Sequence, residues 1–180
     1  VVSTMKLFIL RHGDAEVYAS SDDKRQLTRQ GQQNVTETAR KYTKELSAVS
    51  NILVSPYVRA QQTADIVLSN LSLEHSTQEH STQERATQAH DFSVSTVDFL
   101  TPNIQPQTVI NALFTMQRQV PDQNILLVSH QPLVGYLIEL FCQRKPNFMG
   151  GYPMSPASMA CLQMDVIAAG CAELVFLHNP

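Results

Sequence analysis

Long apolar runs are missing from this chain: nothing in its 180 residues approaches the roughly 20 needed to cross a bilayer. The longest N-terminal apolar stretch, Met5 to Leu10, is interrupted by Lys6 and stops at Arg11, too short for a signal-peptide core. The chain opens on Val1 rather than Met, which is compatible with removal of an upstream segment. An excess of positive charge is missing too. Thirteen Lys and Arg stand against 16 Asp and Glu, for a net charge of −3, and no basic stripe gathers along the chain. Neither nucleic acid nor an anionic membrane is therefore an expected partner. Cysteine is scarce and odd in number. Cys142, Cys161 and Cys171 are widely spaced among apolar neighbours, which excludes a disulfide framework and suggests buried, reduced thiols in a cytoplasmic protein.

What is present suits one globular domain spanning residues 1–180, with an ordinary hydrophobic fraction of 43%. Lys6–Leu10, Asn51–Val54 and Ile125–Val128 are short, nearly continuous apolar runs, as expected of strands covered on both faces of a parallel sheet. Between them the period becomes helical. Val35, Ala39, Tyr42 and Leu46 mark a helix from Thr28 to about Val49, with Thr28 as its N-cap. Ala60, Ala64, Val67 and Leu71 mark a second. A weak strand around Val94–Val97 precedes a helix that Pro106 starts, with Val109, Leu113, Met116 and Val120 on one side. Pro132 to about Cys142 is another helix. Ala157–Val166 and Glu173–Leu177 are late strands, expected as a hairpin or an antiparallel edge. The alternation predicts an α/β fold: a mostly parallel central sheet with helices on both faces.

Residues 74–91 break this pattern. They hold an approximate pentad repeat, HSTQE-HSTQE-RATQA, with almost nothing apolar to contribute to a core. Histidines at five-residue steps (His75, His80 and, two steps on, His90) invite a metal reading. A five-residue step turns a helix by about 500°, so successive histidines share no face. They also lack cysteine partners and zinc-like spacing. The segment reads as a polar low-complexity insertion, a solvated loop or a helix extension.

The chemistry gathers at the ends of the three buried runs. The first ends Leu10-Arg11-His12-Gly13, the second Val54-Ser55-Pro56-Tyr57-Val58-Arg59, and the third Val128-Ser129-His130-Gln131-Pro132. In an open parallel sheet, ligands bind beyond the carboxyl ends of the strands. Two of these ends run straight into helices, whose first turns carry free N–H groups and a positive dipole end. Two arginines and two histidines added to that make a pocket for a dianion, with phosphate the natural candidate. Singly, each residue has an ordinary explanation: a structural ion pair for Arg11 or Arg59, a hydrogen-bonded histidine for His12 or His130, a turn for Gly13. Their recurrence at three corresponding strand ends is what carries the reading.

In order and spacing, Arg11-His12-Gly13-Asp14-Ala15, Leu27-Thr28-Arg29-Gln30-Gly31, Ser55–Ala64 and Ser129–Tyr136 resemble the histidine phosphatase superfamily. The specific resemblance is to its short SixA branch, the phosphohistidine phosphatases. It covers nearly the whole chain outside residues 74–91 and the last residues. The resemblance implies a three-layer, phosphoglycerate-mutase-like fold, a phosphohistidine intermediate, and no metal or other cofactor. Carried onto this sequence, it makes His12 the nucleophile, with Arg11, Arg59 and His130 completing the phosphate pocket. Gly13 and Ser55 are auxiliary candidates. The implied reaction removes phosphate from a phosphohistidine on a partner protein, such as a histidine phosphotransfer domain or a phosphocarrier, and releases inorganic phosphate. Two alternatives stay open: a small-molecule phosphomonoesterase or mutase of the same superfamily, and a non-catalytic phosphohistidine-binding module.

One departure from the broader superfamily is informative. Many members carry a mid-chain glutamate that protonates the leaving oxygen, and none stands near Asp98-Phe99-Leu100-Thr101-Pro102. Asp98 and Asp14 are the remaining candidate donors. An alkoxide leaving group needs a proton because its conjugate acid is very weak. Phosphohistidine can already carry its proton on the ring, and leaves as imidazole with a conjugate-acid pKa of about 6.5. Such a group needs little general-acid help. The missing glutamate therefore favours an N-linked substrate.

Overall fold

A computed structural model of the protein describes residues 4–78, 92–120, 123–142 and 152–180. Six strands form one sheet in the order β3-β2-β4-β1-β5-β6. These are β1 (Met5–Arg11), β2 (Asn51–Val54), β3 (Ser93–Thr96), β4 (Ile125–Ser129), β5 (Met159–Met164) and β6 (Ala172–His178). The pairs β1–β4, β2–β4 and β2–β3 are parallel, whereas β1–β5 and β5–β6 are antiparallel. The late strands thus extend the sheet as the expected antiparallel hairpin at one edge. At the other edge, β3 is short and exposed along its whole length, which explains its weak apolar signal.

The continuous apolar runs are explained by two separate cores. Side chains alternate across a strand, so a run without polar residues must be covered on both faces. Leu7, Ile9, Leu53, Ile125 and Leu127 point to one face, where they pack against Val109 and Leu113 of α4 (Pro106–Gln119) and Leu137 and Phe141 of α5 (Leu133–Cys142). Phe8, Leu10, Ile52, Val54, Leu126 and Val128 point to the other. There they meet Val35 and Ala39 of α1 (Arg29–Lys41), Leu46 of α2 (Thr43–Leu46), and Ala60, Ala64, Val67 and Leu71 of α3 (Val58–Gln78). Three layers result, as expected.

Several boundaries differ from the sequence reading. The helix expected from Thr28 to Val49 is divided at Tyr42, whose backbone leaves the helical region at φ −115° and ψ 23°. The Tyr42 ring stacks on Phe176 of β6 with centroids 4.5 Å apart. The Thr43 hydroxyl lies within bonding distance of the Ala39 and Arg40 carbonyls, which gives them a donor at the break. Val120 ends α4 and is exposed rather than on its buried side. Residues 74–78 of the expected insertion prolong α3, and residues 79–91 lie outside the described residues. No disulfide joins the three cysteines, but only Cys161 is buried; Cys142 is half-buried and Cys171 exposed. Cys171 follows Gly170 in the β5–β6 turn, so its apolar neighbours in sequence do not cover it in space. Among the described residues, no helix is long and apolar enough to cross a membrane.

The N-terminus of α1 is locked onto the loop after β1. Thr28 caps it as expected, accepting from the Gly31 N–H at 3.0 Å. Gly31 lies so close to that loop that a Cβ there would sit 2.1 Å from the Asp14 carbonyl oxygen. Only the absence of a side chain permits the approach. Gly31→Ala should therefore lower stability by roughly 1–3 kcal/mol through overpacking, read as a lower denaturant midpoint. Unchanged stability would show that the Asp14 corner yields freely.

Candidate active site

The parallel strands bring their carboxyl ends to one rim, and the expected residues meet there. Arg11 ends β1 and His12 follows it; the His12 N–H donates to the Ser129 carbonyl at 3.0 Å. Ser55 follows β2, and its N–H donates to the Val128 carbonyl at 3.0 Å. His130 follows β4, and Arg59 lies in the first turn of α3. The His12 and His130 ring centroids are 5.0 Å apart. Both histidines and Arg59 are buried.

Hydrogen bonds define how His12 is presented. Its Nδ1 lies 2.7 Å from the Gly13 carbonyl oxygen, which can only accept, so Nδ1 carries the proton in the neutral ring. Nε2 then holds the lone pair, and Arg59 Nε donates to it at 3.2 Å. Gly13 is in turn fixed by its N–H to Thr63 Oγ1 at 3.2 Å, and Thr63 donates to the Arg59 carbonyl at 2.7 Å. Behind His12, the Ala157 N–H donates to its carbonyl at 3.0 Å, with Ala157 held at a positive φ of 64°. That conformation is costly for alanine and persists because the Thr38 hydroxyl also anchors the Ala157 carbonyl.

The other two residues of the expected pocket are held differently. His130 Nε2 lies 2.7 Å from Ser55 Oγ, and the ring meets Tyr57 edge-on at 5.0 Å. Its Nδ1 is buried with no hydrogen-bond partner among the described residues, and so is Arg11 Nε. Arg11 Nη1 donates to the Met154 carbonyl at 2.5 Å. Gln131 Oε1 is a third such atom, and orphaned buried polar atoms in a native fold need a reason.

Both imidazoles are kept neutral. Burial lowers the His12 pKa most; the bond to Gly13 opposes it, and the charges of Arg59, Arg11 and Arg25 lower it further, from 6.5 to about 4. His130 falls to about 2, first through burial and then through His12 and Arg59. Folding thus disfavours protonation of both rings, and below pH 6.5 the unfolded chain binds more protons. Stability should decline as pH falls from 6.5 towards 4. The loss at pH 5 is on the order of 2 kcal/mol for each ring. Thermal melts between pH 7 and 5 check this, with His130→Gln expected to flatten the slope; a flat wild-type profile would contradict it.

Neither candidate carboxylate is hydrogen-bonded or ion-paired to a site residue among the described residues. Asp14 is exposed, and its Oδ2 accepts from the Thr28 hydroxyl at 2.8 Å, supporting the start of α1. Its charge also favours the charged form of Arg11. Asp98 is exposed in the turn after β3, and its carboxylate has no hydrogen-bond or ion-pair partner among the described residues. Two residues that the sequence did not single out are there instead. Asp22 Oδ2 accepts from Arg59 Nη2 at 3.0 Å, and the Asp22 carbonyl accepts from Nη1 at 2.5 Å. Arg25 pairs with Asp22 Oδ1 at 3.1 Å. Both belong to a polar loop (residues 16–26) without periodicity, so no pattern marked them.

The chain matches the model of the histidine phosphatase superfamily (branch 1) over residues 7–96, from β1 to the end of β3. A phosphohistidine phosphatase SixA homolog of Haemophilus influenzae is 32% identical over 161 residues, covering 86% of this chain and 87% of its own. The chain belongs to the histidine phosphatase superfamily. Within this superfamily, the phosphohistidine phosphatase SixA of Escherichia coli is 28% identical over 141 residues, covering 77% of this chain and 74% of its own. The solved structure of the protein histidine phosphatase SixA with tungstate matches the whole superfamily fold seen here. Its TM-score is 0.75 at 28% identity, over 98% of this chain and 97% of that one. The three layers and mixed sheet are the superfamily's phosphoglycerate-mutase-like architecture.

Proposed function

We propose that this protein is a phosphohistidine phosphatase, acting on a phosphohistidine carried by another protein, with His12 as nucleophile. The observation that carries the reading is the tautomer of His12: Nδ1–H is committed to the Gly13 carbonyl, so Nε2 keeps its lone pair, which accepts from Arg59 Nε until phosphorus displaces that donor. Burial and neighbouring positive charge keep that lone pair free of a proton near neutral pH. A neutral imidazole nitrogen aimed at phosphorus is what covalent phosphoryl transfer needs.

In the first step the bond from phosphorus to the substrate's ring nitrogen breaks as a bond to His12 Nε2 forms. The substrate imidazole leaves with the proton on its other ring nitrogen. Water then attacks the phosphoryl group on His12, inorganic phosphate departs, and Nε2 regains its lone pair. Arg11, Arg59 and His130 hold the three equatorial oxygens through both steps. Positioning and charge stabilisation supply most of the catalysis in such transfers. Arg11 Nε and His130 Nδ1, orphaned in the protein alone, gain partners in phosphate oxygens. No step is routed through a metal or other cofactor. The tungstate held by the SixA structure, an oxyanion of phosphate-like shape, supports a phosphate pocket here.

The carboxylates favour phosphohistidine over a phosphomonoester. Asp22 is the acidic side chain bonded within the site, and burial alone would raise its pKa. Hydrogen bonds from Arg25 and Arg59 outweigh that and hold it below the ordinary value. An acid that stays ionised is a poor proton donor, and an imidazole leaving group does not need one. A protein substrate is further supported by Val17 and Tyr18, which stand 76% and 89% exposed on the loop that also carries Asp22 and Arg25. Exposed apolar side chains next to a reactive pocket suit docking of a folded partner, such as a histidine phosphotransfer domain or phosphocarrier. We read residues 1–180 as a single histidine phosphatase domain working in the cytoplasm.

Trapping tests the reading. After mixing with a phosphorylated histidine phosphotransfer domain and quenching in alkali, acid-labile phosphate is expected on His12. A non-catalytic binding module would acquire none, and a phosphomonoesterase would turn over glycerate or sugar phosphates faster than the phosphoprotein.

A further inference from the structure

Arg59 is 4% exposed, and its guanidinium is gripped from two sides. Nη1 and Nη2, the end of the fork, both face Asp22: one donates to its main-chain carbonyl at 2.5 Å and the other to its carboxylate at 3.0 Å. Nε, on the flank of the fork, donates to His12 Nε2 at 3.2 Å. The plane is further held over the Tyr57 ring, with Cζ 4.8 Å from its centroid. A guanidinium held at its end by two acceptors cannot swing about its long side chain, so its flank is presented towards His12. Asp22 is itself held by Arg25, whose Nε donates to the Glu16 carbonyl at 2.5 Å and whose Nη2 donates to Ala15 at 3.4 Å. The loop is closed beneath by the Ala15–Leu27 bridge.

We propose that Asp22 is a positioning residue: it clamps the far end of Arg59 so that the Nε flank meets a phosphoryl oxygen at His12. This rests on the phosphate-pocket reading above. Asp22 remains on its side of Arg59 when substrate enters, because phosphate approaches the flank and not the end. The clamp also places a counter-charge behind Arg59, which allows that arginine to be buried before substrate arrives. Arg25 restrains the clamp and couples it to the loop bearing Val17 and Tyr18.

The experiment compares Asp22→Ala, Asp22→Asn, Arg59→Ala and the Asp22→Ala/Arg59→Ala pair in steady-state turnover of a phosphorylated histidine phosphotransfer domain. Binding of inorganic phosphate is measured by calorimetry, and thermal melts verify folding. Residues that orient a ligand from behind typically matter by 10- to 100-fold. Asp22→Ala should lose kcat by about that factor, and Asp22→Asn, which keeps the acceptor oxygen, should recover most of it. In the Arg59→Ala background, Asp22→Ala should cost nothing further. Wild-type turnover by folded Asp22→Ala, or the same proportional loss with and without Arg59, would overturn the clamp. So would tighter phosphate binding by Asp22→Ala, which would make the carboxylate a competitor of substrate. Wild-type protein that neither turns over the donor nor binds phosphate would instead sink the phosphatase reading itself.

Discussion

His12→Ala is expected to abolish turnover, a loss on the order of 10⁴-fold or more, as when other enzymes lose a covalent nucleophile. The site offers no substitute. His130 is the other imidazole within reach, 5.0 Å away between centroids, and its Nε2 is occupied by Ser55. Removing the His12 ring also takes away the acceptor of Arg59 Nε, yet leaves Arg59 its two bonds to Asp22. The phosphate pocket should therefore persist, and the variant should still bind inorganic phosphate while showing no acid-labile phosphate after mixing with donor. Near wild-type turnover in the variant would refute the nucleophile assignment.

Arg59→Ala should cost 10²–10³-fold in kcat, the range seen when one fixed donor to a developing oxyanion is removed. The change is not purely chemical. Arg59 connects α3 to Asp22 and to His12, and cutting it leaves the Asp22 carboxylate with Arg25 alone. Arg59→Lys separates the two effects. Lysine restores positive charge but is a point donor, unable to span Asp22 and His12 together. It should fold normally, bind phosphate weakly and recover at most a small part of the rate. Full recovery by lysine would mean that charge alone is needed at this position and that the fork geometry is irrelevant.

Most of the frame could be read before any coordinates because burial leaves a direct imprint on composition. Strands covered on both faces must be apolar at every position, and Phe8–Leu10, Ile52–Val54 and Leu126–Val128 are. Helices that cover a sheet must repeat near 3.6, and Ala60, Ala64, Val67 and Leu71 do. The candidate site residues could be located for the same reason: Arg11, His12 and His130, with the auxiliary Ser55, each stand at the end of a strand that composition had already located. The errors fall where burial is partial. The break at Tyr42 depends on a stacking partner, Phe176, more than a hundred residues away. The exposure of Val120 and Cys171 depends on where elements end, which local pattern defines poorly.

By itself, then, the chain's order of residues determined the alternating architecture, the two cores and the rim on which the histidines and arginines meet. Tertiary structure decided how that rim is wired. Which nitrogen of His12 keeps its lone pair depends on the Gly13 carbonyl, and which edge of Arg59 is free depends on a loop with no periodicity. Asp14, Asp98 and Asp22 are all exposed, and of the three Asp22 alone is bonded to Arg59 among the described residues, because hydrogen bonds depend on distance and direction between segments far apart in the chain. Apolar burial is a property summed over each element and so survives in its composition; a hydrogen bond is a property of two atoms, and only the fold brings them together.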